Sequence, residues 1–286
     1  MKDSIKITLN NLVFDCRIEG NPENELVLFL HGWPETSHMW IDLMANLSNK
    51  GYFCVAPNLR GFSPAACPKE VDQYSLEHLT EDVIGIFNYF DKPKFHLVGH
   101  DWGAIIGWKV VHDHPDKVVS WTSLSVPHPQ AFGVALAMDP EQRKKSQYIK
   151  NFQVPELPEQ QLRNDDFKAL RDLWKNSSKE EIDDYLSVFS NPDQLTATLN
   201  YYRGNFGLLL AAAQGQILGN INTPTLFIWG NQDLAIGAYA VNQNHQYMKN
   251  EYEFIELDAG HWLIQTHFEA LNNSITKHLT KNKQGS

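Results

Sequence analysis

Asp101, in the segment Phe95-His-Leu-Val-Gly-His-Asp-Trp-Gly103, is the residue with the most chemistry to offer. Residues 95–98 form an apolar run that predicts a short buried strand, and residues 102–114 carry the apolar spacing of a helix, with a very short turn between them. Gly99 and Gly103 bracket Asp101 with the spacing of a G-x-S-x-G nucleophile elbow, where a strained turn lifts the central side chain above the strand end. Aspartate in that position changes the chemistry. A hydroxyl must be activated by a base, whereas a carboxylate is already ionised near neutral pH and can attack an electrophilic carbon directly. The product would be an alkyl ester on the protein, and water would have to cleave it at the carboxyl carbon with help from a general base and an oxyanion hole. The plainer role for an aspartate here is to cap the helix that follows.

Two partners are available. His261 lies in Asp258-Ala-Gly-His-Trp262 and Asp233 in Trp229-Gly-Asn-Gln-Asp233, each just after an apolar strand-like run. Loops that follow the strands of a parallel sheet emerge on one edge, so three residues distant in sequence are expected to meet there. His261 would take a proton from water, and Asp233 would fix its tautomer and stabilise the imidazolium. The segment His31-Gly-Trp-Pro-Glu35 follows another strand-like run, at 26–30. The backbone N–H groups of Trp33 and Trp102 are the expected oxyanion donors. His31, Pro34 and the Trp102 side chain are expected to line the substrate site, and the tight turn at Pro34 is compatible with a cis bond. Taken singly, Asp233 reads equally as a turn residue and His261 as a surface-loop histidine.

These residues need a scaffold, and the rest of the sequence supplies its pattern. Strand-like runs occur at 5–9, 12–18, 26–30, 53–56, 95–98, 118–124, 225–229 and 252–257, and helical patterns at 39–48, 76–90, 102–114, 239–248 and 268–279. The alternation predicts a mostly parallel eight-stranded sheet covered by helices on both faces. Residues 1–127 and 221–286 are assigned to this α/β core. Between them, 128–220 lack strand signals and hold helix-favouring stretches at 164–176 and 179–189, which predicts a helical lid over the sheet edge. Only 281–286 look disordered.

Composition narrows the function classes. The chain has 286 residues, 42% of them hydrophobic, enough for one large core with an insertion. The net charge of -10 disfavours nucleic acid and anionic lipid as partners. No run of eighteen apolar residues and no N-terminal apolar segment is present, so a cytoplasmic protein that neither spans nor binds a membrane is expected. Cys16, Cys54 and Cys67 contain no CxxC pair, and His112 and His114 point to different helix faces, so no metal is expected.

With these residues in view, the chain resembles the α/β-hydrolase superfamily over nearly its whole length, and within it the epoxide hydrolases. His31-Gly-Trp-Pro-Glu35 and Gly99-His-Asp-Trp-Gly103 are similar to that family's paired signatures, and the order nucleophile, acid, histidine is the order of the superfamily. The resemblance implies hydrolysis of a small hydrophobic epoxide to a vicinal diol without a cofactor. It also implies two lid tyrosines that donate hydrogen bonds to the epoxide oxygen: Tyr148, in a segment similar to Y-x-x-x-F-Q-x-P, and Tyr202, in Asn200-Tyr-Tyr-Arg203, with Tyr201 as a decoy. Asn58 and Ser63 replace the family's more usual Asp and Gly, and Ala104 a frequent glycine. Haloalkane dehalogenases share the aspartate nucleophile and form the nearest alternative, although their usual halide-binding Asn is Trp33 here. A non-catalytic small-molecule receptor on the same scaffold is the alternative from another class. Oligomeric state, monomer or homodimer, is left open.

Overall fold

The computed structural model describes residues 3–213 and 218–283. Its centre is an eight-stranded sheet in the order β1-β2-β4-β3-β5-β6-β7-β8. The strands are β1 (Asp3–Leu9), β2 (Leu12–Glu19), β3 (Glu25–Leu30), β4 (Tyr52–Pro57), β5 (Phe95–His100), β6 (Val118–Leu124), β7 (Thr225–Gly230) and β8 (Tyr252–Leu257). β1 and β2 are antiparallel to each other and β2 to β4, while every other pairing is parallel. Each of the eight predicted runs falls within one strand. The continuous apolar runs of β4, β5 and β7 are buried at every position, which happens only when both faces of the sheet are covered. α2 (Leu76–Tyr89) packs with α3 (Trp102–Asp113), and α1 (Ile41–Ser48) with α13 (Phe268–Lys281). No helix among the described residues is long and apolar enough to cross a membrane.

Between β6 and β7 the described chain is helical: α4 (Pro129–Met138), α5 (Pro140–Lys145), α6 (Gln147–Asn151), α7 (Leu157–Leu173), α8 (Lys179–Phe189), α9 (Pro192–Gly204) and α10 (Phe206–Ala213). α11 (Ala238–Gln243) and α12 (Leu263–Thr266) follow β7 and β8. α8 has the predicted bounds, starting at a capping box in which Ser178 and Glu181 satisfy each other's backbone donors. α7 differs from expectation. It begins at Leu157 and breaks at 164–167, where Asp165, Asp166 and Phe167 take left-handed φ of 51°, 55° and 60°. Short polar Asn and Asp side chains tolerate that conformation, so the stretch read as helix-favouring opens with the break itself. α13 extends to Lys281, two residues beyond the predicted end, and 284–286 lie outside the described residues.

Specific polar contacts tie this helical excursion to the strand-following loops. The Trp174 indole donates to Pro34 O at 3.0 Å, the Tyr201 hydroxyl to Arg60 O at 2.7 Å, and Arg17 of β2 pairs with Asp184 of α8. α9 is pinned towards α7 by the largely buried Arg203–Glu159 pair at 2.8 Å.

Candidate active site

The β5–α3 turn is as tight as its glycines imply. A Cβ on Gly103 would lie 2.1 Å from Leu30 O, so only glycine lets α3 start directly against the end of β3. Asp101 sits in the turn at φ 52°, ψ -119°, a conformation rare outside glycine, and its side chain makes no cap hydrogen bond to α3. The helix-capping role is therefore not the one it takes. Its carboxylate points across the sheet edge, where Oδ1 accepts the Trp33 N–H at 2.7 Å and Oδ2 lies 3.4 Å from His261 Nε2. Gly32 makes this approach possible, because a Cβ there would be 2.3 Å from that of Asp101. The Trp33–Pro34 bond is cis.

His261, on the loop after β8, bonds through Nδ1 to Asp233 Oδ2 at 2.7 Å. Asp233 is fully buried, and its other oxygen accepts the Ala235 and Ile236 N–H groups at 2.7 and 2.9 Å. The structure thus brings Asp101, His261 and Asp233 together, His261 hydrogen-bonded to Asp233 and ion-paired with Asp101. Burial opposes the charged His261 ring, but the Asp233 charge and the hydrogen bonds to Asp101 and Asp233 outweigh it and hold the pKa up at about 10. Burial opposes the charged form of Asp101 too and pushes its pKa up, but the His261 hydrogen bond and charge, His100 and the Trp33 amide outweigh it and keep the carboxyl below the usual range. The resting site is an ion pair.

Asp101 and His261 open onto a cavity of about 290 Å³ whose other walls are almost entirely apolar or aromatic, including Trp33, Phe152 and Leu162. Tyr148 of α6 and Tyr202 of α9 border the same cavity, and their rings meet edge to face at 5.9 Å. Burial first, then other negative or ionisable groups, Asp101 included, push both phenols far above their ordinary pKa, so both keep their protons at neutral pH. Tyr201 does not border this cavity, and its hydroxyl donates to Arg60 O.

The residues expected to line the substrate site need correction. His31 is buried beneath the loop, with Nδ1 against Gly32 O at 3.1 Å and Nε2 accepting Leu59 N–H at 3.1 Å, and it does not border the cavity. Pro34 supplies only its carbonyl, to Trp174. Trp102 packs its ring against Tyr201 and Tyr202 instead of the cavity. All three lie in motif loops, but those loops turn their backbone to the site and pack these side chains behind it.

Sequence reasoning missed the support under His261. Its carbonyl accepts from Ser125 Oγ at 2.8 Å and from His100 Nε2 at 3.0 Å, and His100 Nδ1 lies 3.2 Å from buried Glu35. Glu35 in turn accepts from Gln265 Nε2 at 2.6 Å. His100 and Glu35 stand inside the two motifs, so a signal existed, although nothing in the spacing pairs them. Asn58 and Ser63, the two departures, interlock with this region: Asn58 Oδ1 accepts from Ser37 Oγ at 2.6 Å, and Ser63 Oγ donates to Asn58 O at 2.7 Å. Among the described residues no group of three or more His, Cys, Asp or Glu side chains has a metal-holding arrangement.

Comparison with known proteins identifies the family. Residues 25–268 match the family model described as alpha/beta hydrolase fold. Epoxide hydrolase 3 of Xenopus tropicalis is 32% identical over 96% of this chain and 75% of that protein. AB hydrolase superfamily protein YfhM of Bacillus subtilis is 26% identical over 96% of each chain. The crystal structure of the Bacillus megaterium epoxide hydrolase in complex with an inhibitor superposes with a TM-score of 0.87 at 28% identity, covering 96% of this chain and 100% of that one. The chain belongs to the α/β-hydrolase family, where epoxide hydrolases are among its similar relatives.

Proposed function

We propose that this protein hydrolyses small hydrophobic epoxides to vicinal diols through an alkyl ester on Asp101, with 128–220 acting as a lid over the site. The observation that carries the reading is that one mostly apolar cavity is lined by an ionised Asp101, oriented by Trp33 N–H, together with two protonated phenols, Tyr148 and Tyr202. A neutral epoxide develops alkoxide charge as its C–O bond breaks, and phenol hydroxyls that line an apolar cavity would stabilise that charge.

Proton balance follows from the resting ion pair. Asp101 Oδ2 bonds to the epoxide carbon, the ring C–O bond breaks and the alkoxide is held by the tyrosines. The alkoxide gains one proton and His261 loses one. Esterification also removes the negative charge 3.4 Å from His261, so the ring becomes a neutral base at the moment when one is needed. Water then gives His261 a proton and adds to the ester carbonyl, whose oxyanion meets the Trp33 and Trp102 N–H groups. Collapse releases the diol with the second water proton and restores the Asp101 carboxylate beside protonated His261.

Intermediate trapping tests this scheme. His261→Gln should form the ester and fail to hydrolyse it, so mass spectrometry after an epoxide is added should find the substrate's mass on the peptide holding Asp101. An unmodified peptide with good epoxides would refute the scheme. A panel of epoxides and bromoalkanes separates this reading from a haloalkane dehalogenase, by diol against bromide release, and from a receptor, which would bind without turnover.

A further inference from the structure

α9 borders a separate cavity of about 320 Å³, on the side away from Tyr202. Asp193, Gln194, Ala197 and Asn200 line it, positions that share one side of a helix with 3.6 residues per turn, whereas Tyr202 lies about 200° round from Asn200. The other wall is the loop after β4, with Cys67 and Lys69. No residue borders both this cavity and the one around Asp101.

Two of the lining side chains are almost fully buried and keep one polar atom unused. Gln194, 3% exposed, donates through Nε2 to Phe62 O at 2.9 Å, while its Oε1 accepts from nothing among the described residues. Asn200, 2% exposed, accepts at Oδ1 from Arg203 Nη1 at 3.5 Å, while its Nδ2 donates to nothing there. Leaving such groups unmet costs about 1–3 kcal/mol each, which favours a polar occupant. Lys69 and Asp193 add exposed charges of opposite sign to the same cavity, and neither is ion-paired among the described residues. A lone anion drawn to Lys69 would meet the Asp193 charge, and a lone cation drawn to Asp193 would meet Lys69; a molecule carrying both signs satisfies both. The volume is room for about ten waters at ~30 Å³ each, hence for a molecule of about as many non-hydrogen atoms. We propose that this cavity binds a zwitterion the size of a free α-amino acid, its carboxylate held by Lys69 and Asn200 Nδ2 and its ammonium by Asp193 and Gln194 Oε1.

Cys67 places a reporter in the wall. It is partly exposed beside the cavity, whereas Cys16 and Cys54 are sealed in the core, so a maleimide reaches Cys67 first. Saturation-transfer NMR of the native protein against each of the common amino acids identifies one that binds, and maleimide labelling with and without it, read by peptide mass, locates it. The expected result is transfer from at least one amino acid at millimolar concentration, with Cys67 labelling slowed at least about fivefold, and neither effect from acetate or ethylammonium, which carry one sign each. Lys69→Glu alters an exposed side chain that has no partner in the fold and should abolish both signals. Asn200→Asp puts a carboxylate where the amide donor stands and should weaken binding at least about tenfold. Transfer from none of the amino acids, transfer without protection of Cys67, equal effects from acetate or ethylammonium, or binding unchanged in Lys69→Glu would overturn the site. All of these results are independent of the Asp101 chemistry, because the two cavities share no residue.

Discussion

Replacing Asp101 by Asn tests the coupling on which the proposed two-step chemistry depends, because the amide has the shape of the carboxylate and, like an ester, no charge. In the native protein Asp101 Oδ2 lies 3.4 Å from His261 Nε2. At an effective dielectric of about 20, two unit charges at that distance interact by 332/(20 × 3.4), roughly 5 kcal/mol. At 1.36 kcal/mol per unit this is a ceiling of roughly 3.5 pKa units, and spreading of charge over two oxygens and two nitrogens brings it to about two or three. His261, held up at about 10 in the native site, should then titrate at roughly 7 to 8, within reach of a working base. The assay is a pH titration of the protein with ¹³C-labelled histidine, in which the signal lost in His261→Gln identifies His261 among the 12 histidines. A His261 signal in Asp101→Asn that still titrates within about half a unit of the native one would refute the argument that alkylation generates the base.

The other predictions concern the tyrosines, the fold and pH. Replacing Tyr148 and Tyr202 together by Phe removes both hydroxyls proposed to donate to the developing alkoxide and should slow ester formation by about 10²-fold or more in stopped-flow fluorescence, while leaving decay of any ester formed much less affected. Arg60 holds Asp82 bidentately at 2.7 Å, both groups being nearly fully buried. Arg60→Leu leaves that carboxylate alone in the interior and should lower urea-unfolding stability by about 3–5 kcal/mol, with Asp82→Asn partly rescuing it. Burial pushes four histidines down, His31 and His278 to about 4 and His96 and His128 to about 3. Their folded pKa lies below the unfolded 6.5, so the unfolded chain binds protons first and stability should fall as pH drops from about 6.5 towards 4, by about 2 kcal/mol per residue at pH 5, seen as a shrinking urea midpoint. His261 acts in the other direction: its contribution is complete below about 6.5 and should be lost as pH rises through about 10, on the alkaline side of the same curve.

How much of this was legible in the sequence depends on the range of the interaction concerned. Strand positions were, because burial on both faces demands uninterrupted apolar runs such as those of β5 and β7. So was the convergence of Asp101, Asp233 and His261, since each follows a strand of a parallel sheet and chain connectivity delivers all three to one edge. Even the local strain at Asp101 was written in Gly99 and Gly103.

Side-chain direction at loops was not legible. His31, Pro34 and Trp102 sit in the motifs that build the site, yet the tertiary fold turns His31 under Leu59, leaves Pro34 to bond Trp174, and packs Trp102 on the α9 tyrosines. The same holds for Glu35 and His100, whose contact joins the loop after β3 to the end of β5, 65 positions away, and for the break inside α7. Periodicity and turn chemistry are properties of neighbouring residues and survive in one dimension. Which face of a loop meets a cavity depends on how separate elements pack against each other, and only the folded chain decides that.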